Sequence, residues 1–213
     1  MNKNIRNAGR RPYSAFVSIT GRGPSGNIVE VFLGTIREAV NLAQSRYPDA
    51  DAKNKADWLD VLTSDYRDVE IREWKLKTQT EIVTETIQFY LADPAARRAK
   101  RYSCHYAMPG EPSRRCAVGR CMTEEAIKKV GRYTGGVNQL NKDHGPLYRL
   151  LRTEYLGHEQ EFWFNLQALH DEDCYWIADD AATRRRELVR RCFPEALKSC
   201  IALGLVADSD IAE

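Results

Sequence analysis

The chain has 213 residues, 43% of them apolar and 29% charged, the balance of one large folded domain or two small ones and not of a disordered segment. Lys and Arg number 32 against 30 Asp and Glu, and the resulting net charge of +2 excludes broad nonspecific coating of DNA, which needs a clear cationic excess. No window approaches roughly 18 uninterrupted apolar residues, so no membrane-spanning helix is expected.

The opening stretch, MNKNIRNAGRRP, is polar and basic with no apolar run behind it, so no secretory signal is expected. Residues 14–20 alternate Ala15, Val17 and Ile19 with polar neighbours, the period-two pattern of a half-buried strand. Residues 27–33 read as a second strand, joined to the first by the glycine-rich loop GRGPSG. Thr35 and Glu38 have capping-box spacing and open a helix whose apolar stripe runs from Ile36 to Tyr47, where Pro48 stops it. Trp58, Leu59, Val61 and Leu62 suggest a short helical stretch. Residues 69–76 return as a strand, with a bulge predicted at Glu73, where the alternation slips.

From there the pattern turns helical. Thr78 and Glu81 form a second capping box, ahead of inward-facing Ile82, Val83, Ile87, Tyr90 and Leu91. Asp93 and Pro94 suit the first positions of a short helix over 95–100. Thr123 caps 124–130, Pro146 opens a predicted helix over 147–156, and 159–170 places Phe162, Trp163, Leu166 and Leu169 on one face. Helices over 183–193 and 194–203 complete the order. The expected architecture is α+β: a small N-terminal β-β-α-β module over 1–77, then a mainly α-helical module with a short β-hairpin over 78–213.

Three segments of the second module, TIQFYLADPAARRA, CHYAMPGEPSRRCAVGRCMTEEA and FWFNLQALHDEDCYW, carry a C-x-Y, C-A-V-G and L-Q-x-x-H-D pattern. Over 82–176 this resembles a poorly characterised family from bacteriophages and bacterial mobile elements. The resemblance implies an origin and a layout, a short strand leading through a hairpin to an acidic helix, but no reaction.

The chemistry-bearing motifs point away from catalysis. GRGPSG matches G-x-G-x-x-G, yet it joins two strands and so lacks the helix N-terminus that holds a pyrophosphate; it reads as a hairpin tip, with Arg22 a weak phosphate contact. All six cysteines lie in the second half, too sparse for a secreted disulfide framework, which suits a reducing cytoplasm, the host's if the protein is phage-encoded. Cys104, Cys116 and Cys121, completed by His144 or His170, are a candidate zinc set, but their spacing is poor and core packing is the favoured role. No metal or cofactor is therefore expected. His170 beside Asp171 invites a general-base reading with Cys104 or Cys116 as nucleophile. Consecutive side chains ordinarily diverge, so a helix-terminal role for His170, bonding the last carbonyls, is preferred.

Basic clusters remain. Arg98, Arg101, Arg114 and Arg115, interleaved with Tyr102 and Tyr106 in irregular chain, are the predicted ligand-binding set, because guanidinium forks match phosphate and aromatic faces stack on rings. Residues 184–191 are equally basic but read as a solvated helix face, with Glu187 and Arg191 an ordinary helix pair. The expected function is non-catalytic capture or blocking of a host component, either a protein or an anionic nucleotide-like ligand, in a counter-defence role. The alternatives are a nucleic-acid accessory protein using the arginine clusters and, third, a cysteine- or zinc-dependent enzyme.

Overall fold

Residues 3–98 and 105–208 are described by a computed structural model, with Pro112 described in its backbone alone. The fold is mixed α and β, and the chain divides into two compact units, Met1–Leu76 and Lys77–Glu213.

The first unit runs α1 (Lys3–Ala8), β1 (Phe16–Arg22), β2 (Ile28–Thr35), α2 (Ile36–Arg46), α3 (Lys55–Leu62) and β3 (Arg67–Glu73). Its three strands form an antiparallel sheet in the order β2-β1-β3. Val17 and Ile19 from β1 and Val69 and Ile71 from β3 bury their side chains with Ile36, Ala39 and Ala43 of α2 and Leu59 of α3. Period two on the sheet thus meets the 3.6-residue stripe of the helices, and one core results. Both helix starts are fixed by capping boxes. The Thr35 hydroxyl accepts from the Glu38 amide while the Glu38 carboxylate accepts from Thr35 N, and Asn54 and Asp57 repeat the device at α3. At the GRGPSG tip Gly23 N donates to Asn27 O and Gly26 takes φ 81°, a left-handed turn suited to glycine.

Two expectations for this unit are corrected. The predicted bulge at Glu73 is displaced: the register against β3 breaks between Thr20 and Arg22, close to Asp68, whose φ is 49°. β3 ends at Glu73, where Trp74 keeps one strand-like bond to Phe16 O before the chain departs. Helix α1 was not anticipated, since only Ile5 and Ala8 of its six residues are buried and so short a stripe carries no periodicity.

The second unit contains α4 (Gln79–Ala92), α5 (Pro94–Arg97), the hairpin strands β4 (Ala107–Met108) and β5 (Glu111–Arg115), α6 (Glu124–Val130), α7 (Val137–His144), α8 (Gln160–Asp171), α9 (Ala181–Cys192) and α10 (Leu197–Ala202). The Thr78 and Glu81 box opens α4, whose Ile82, Val83, Ile87 and Tyr90 are fully buried. The helix predicted over 147–156 is replaced by two single 3-10 turns, Leu147–Arg149 and Thr153–Tyr155. Between them the backbone is drawn straight by pairing with 121–123: Thr123 N donates to Leu150 O at 2.9 Å and Arg152 N to Cys121 O at 2.8 Å. Those bonds take the groups that a helix would have used. Helix α7 also escaped the sequence reading, because VNQLNKDH is polar apart from its buried Val137 and Leu140.

Gly119 marks the tightest crossing. A Cβ built there would lie 1.9 Å from the carbonyl oxygen of Tyr106, which itself accepts from Cys116 N. Backbone cannot move aside as a flexible side chain can. Gly119→Ala is therefore expected to destabilise the protein by about 1–3 kcal/mol or more, read as a lower urea midpoint. An unchanged midpoint would contradict this packing.

Candidate functional site

The C-terminus of α8 leaves its last carbonyls without helical donors. The Glu172 amide returns to Ala168 O and the Trp176 indole Nε1 donates to Leu169 O at 2.8 Å. Arg98 supplies the rest. Its Nε and Nη2 donate to His170 O at 2.9 and 2.6 Å, Nη2 also reaches Asp171 O at 3.2 Å, and Nη1 pairs with Asp173 at 2.8 Å. Only 6% of Arg98 is exposed. Arg114 does the same for the end of α5, donating to Arg98 O at 3.1 and 3.2 Å and to Ala95 O at 3.3 Å, with Glu111 as its ion-pair partner.

The other members of the predicted set divide. Arg115 pairs with Glu124 at 2.8 Å and Tyr106 is buried, its ring 6.3 Å from that of Tyr133. Arg101 and Tyr102 lie outside the described residues, as does Cys104. Arg22, the weak phosphate option, is paired with Asp68 and donates to Gly26 O.

The 184–191 segment is only partly the solvated face expected. Arg184 pairs with Asp180 on the surface, but Arg185 is buried, donating to Leu205 O and Tyr175 O, and Arg186 holds Ala207 O and Asp208 O. Glu187 pairs with Arg190, not with Arg191.

His170 and Asp171 also differ from expectation. The two side chains do not diverge: His170 Nδ1 and Asp171 Oδ1 are hydrogen-bonded at 2.8 Å, and the helix carbonyls go to Arg98 instead. The imidazole is fully buried against the Tyr90 ring, whose hydroxyl donates to Arg115 O. The thiols are equally enclosed. Burial pushes Cys116 up to about 12 and raises Cys121 further, so both stay protonated at neutral pH. Among the described residues no group of three or more His, Cys, Asp or Glu could hold a metal ion. No helix among them is long and apolar enough to cross a membrane.

A cluster that the sequence did not single out gathers around Glu85 of α4. Lys77 and Glu85 form an ion pair, Tyr155 donates its hydroxyl to Glu85 at 2.6 Å, and Arg120 lies 4.0 Å from the same carboxylate. Arg152 donates to Tyr155 Oη at 3.1 Å and to Arg120 O at 2.9 Å, and pairs with Glu154 at 3.5 Å. Three cations thus converge against two carboxylates, with Arg115 and Glu124 alongside. Burial works against the Lys77 ammonium, but Glu85 and the Tyr155 hydroxyl outweigh it and raise its pKa. Burial and Glu85 together lift Tyr155 to about 12, so it remains a neutral donor. Aromatic faces complete the cluster. Arg97 and Arg120 lie over the Phe89 ring at 4.8 and 4.2 Å, and Lys77 and Arg152 over that of Tyr155 at 4.9 and 4.8 Å. The positions are spread over 77–155, and only the fold assembles them.

Compared with known protein families, curated proteins and solved structures, the chain matches none.

Two measurements check these assignments. Arg98→Ala should cost about 1.5–3 kcal/mol of stability in urea denaturation, and Arg98→Lys should recover little, since an ammonium cannot reach two carbonyls as a planar fork does. In native protein at pH 8, site-resolved alkylation should modify the half-exposed Cys174 and Cys192 and spare Cys116 and Cys121 until denaturant is added. Native labelling of Cys116 would contradict its enclosure.

Proposed function

We propose that this chain is a non-catalytic binding protein of phage or mobile-element origin that captures a phosphate-bearing, nucleotide-like host component. The observation that carries the reading is the convergence of Lys77, Arg120 and Arg152 against the rings of Phe89 and Tyr155 in the second unit. Guanidinium and ammonium donors held by neighbours bind phosphate oxygens with little ordering cost. Arg152, with 44% of its side chain exposed, presents donors outward; a guanidinium carries five N–H groups and Arg152 uses only part of them on its neighbours. Buried, protonated thiols and a buried imidazole support a binding role over nucleophilic catalysis. The phage origin is supported by the C-x-Y, C-A-V-G and L-Q-x-x-H-D pattern.

The test is titration calorimetry with inorganic pyrophosphate and a panel of nucleoside 5′-diphosphates. Binding should weaken steeply with salt. Arg152→Ala and Lys77→Ala should each reduce affinity about tenfold or more with the melting temperature nearly constant. Absence of binding by every phosphate compound, or binding indifferent to both substitutions, would overturn the reading.

A further inference from the structure

The second unit holds a half-open cleft of about 170 Å³. Leu147, Leu151, Leu156 and the buried indole of Trp163 form its apolar walls, and Tyr148, half exposed, stands at the rim. His158 brings the polar contact. Its Nε2 faces Lys77 O at 2.9 Å, and only a protonated nitrogen satisfies a carbonyl, so Nε2 donates. Burial lowers the pKa of this imidazole, so at neutral pH the ring is uncharged and Nδ1 is an acceptor.

Size decides what the cleft takes. An engineered apolar cavity of about 150 Å³ takes up benzene, whereas pockets that enclose a whole drug-sized ligand run to about 300–1,000 Å³. About 170 Å³ therefore accepts one planar ring and leaves the remainder of its molecule outside. The chain that lines the cleft also carries members of the cation cluster. Leu151 lines the cleft and Arg152, the next residue, belongs to the cluster; Leu156 lines it and Tyr155 precedes it. Lys77 joins the two: its carbonyl holds the cleft's imidazole and its ammonium sits on Glu85.

We infer that the cleft is the base-binding half of a nucleotide site, with a nucleobase against Trp163 and His158 and its phosphates on Lys77, Arg120 and Arg152. The inference rests on the anion-binding reading above for its phosphate half only. A peptide side chain would fill the walls equally well, but it would make no use of the neighbouring cations. A ring that carries both an N–H donor for His158 Nδ1 and a phosphate uses both.

The experiment compares purine and pyrimidine nucleosides, their 5′-diphosphates and inorganic pyrophosphate on the full chain, by calorimetry and by the NMR signals of the Trp163 indole and His158 ring. At least one nucleoside diphosphate should bind roughly ten- to a hundredfold tighter than pyrophosphate and move both signals. Leu147→Phe, which fills the cleft, should bring that affinity down to the pyrophosphate level and leave pyrophosphate binding unchanged. Should Leu147→Phe fail to fold, contacts between ligand ring protons and Trp163 in the unaltered protein decide instead. Diphosphates that bind no tighter than pyrophosphate and leave Trp163 and His158 unmoved overturn the cleft assignment while the anion reading stands. Nucleosides that bind in the cleft without gaining from their phosphates overturn the anion reading while the ring site stands. Failure of all three classes overturns both.

Discussion

The second unit depends on satisfying the last carbonyls of α8. Four orphan acceptors at a helix end inside a protein are costly unless donors reach them, and here every one from Ala168 to Asp171 has one. Arg98 serves two of the four, His170 O and Asp171 O, from 72 and 73 residues away in sequence, so the helix end is closed only when the chain that follows α5 is in place. Tyr90 reinforces the same junction, with its ring against His170 and Trp176 and its hydroxyl on Arg115 O. Arg114 then closes α5 on Arg98 O. The junction is thus a sequence of guanidiniums, each terminating a different helix.

This explains why the arginines around the hairpin resemble a phosphate site in sequence. A helix C-terminus and a phosphate make the same demand: closely spaced oxygen acceptors with partial or full negative charge, met by a planar fork. Composition cannot tell one from the other. Burial can, and Arg98 at 6% exposure lies within the protein. Arg185 repeats the pattern on Tyr175 O and Leu205 O.

Local signals were legible wherever one short stretch held both partners. The capping boxes at Thr35 and Thr78 need residues three apart, and both form as read. Alternation in β1 and the stripes of α2, α4 and α8 likewise identify their buried faces. Failures came where distant backbone competed. The 147–156 stretch has helical spacing, but its central residues pair with 121–123. The cation cluster was invisible for the same reason, since Lys77, Glu85, Arg120, Arg152 and Tyr155 share no local pattern. His170 and Asp171 depart from the divergence usual for neighbouring side chains: the buried imidazole and the Asp171 carboxylate are hydrogen-bonded at 2.8 Å.

Arginines that close helix ends, Arg98 and Arg114, are thus distinct from the basic groups gathered around Glu85, and ligand capture is assigned to the second set. Side-chain Nε–Hε spectra of ¹⁵N-arginine protein, recorded with and without pyrophosphate, test that separation directly. Arg98 and Arg114 should exchange slowly and hold their positions, while Arg120 and Arg152 move on addition. A pyrophosphate-dependent shift confined to Arg98 and Arg114 would contradict it.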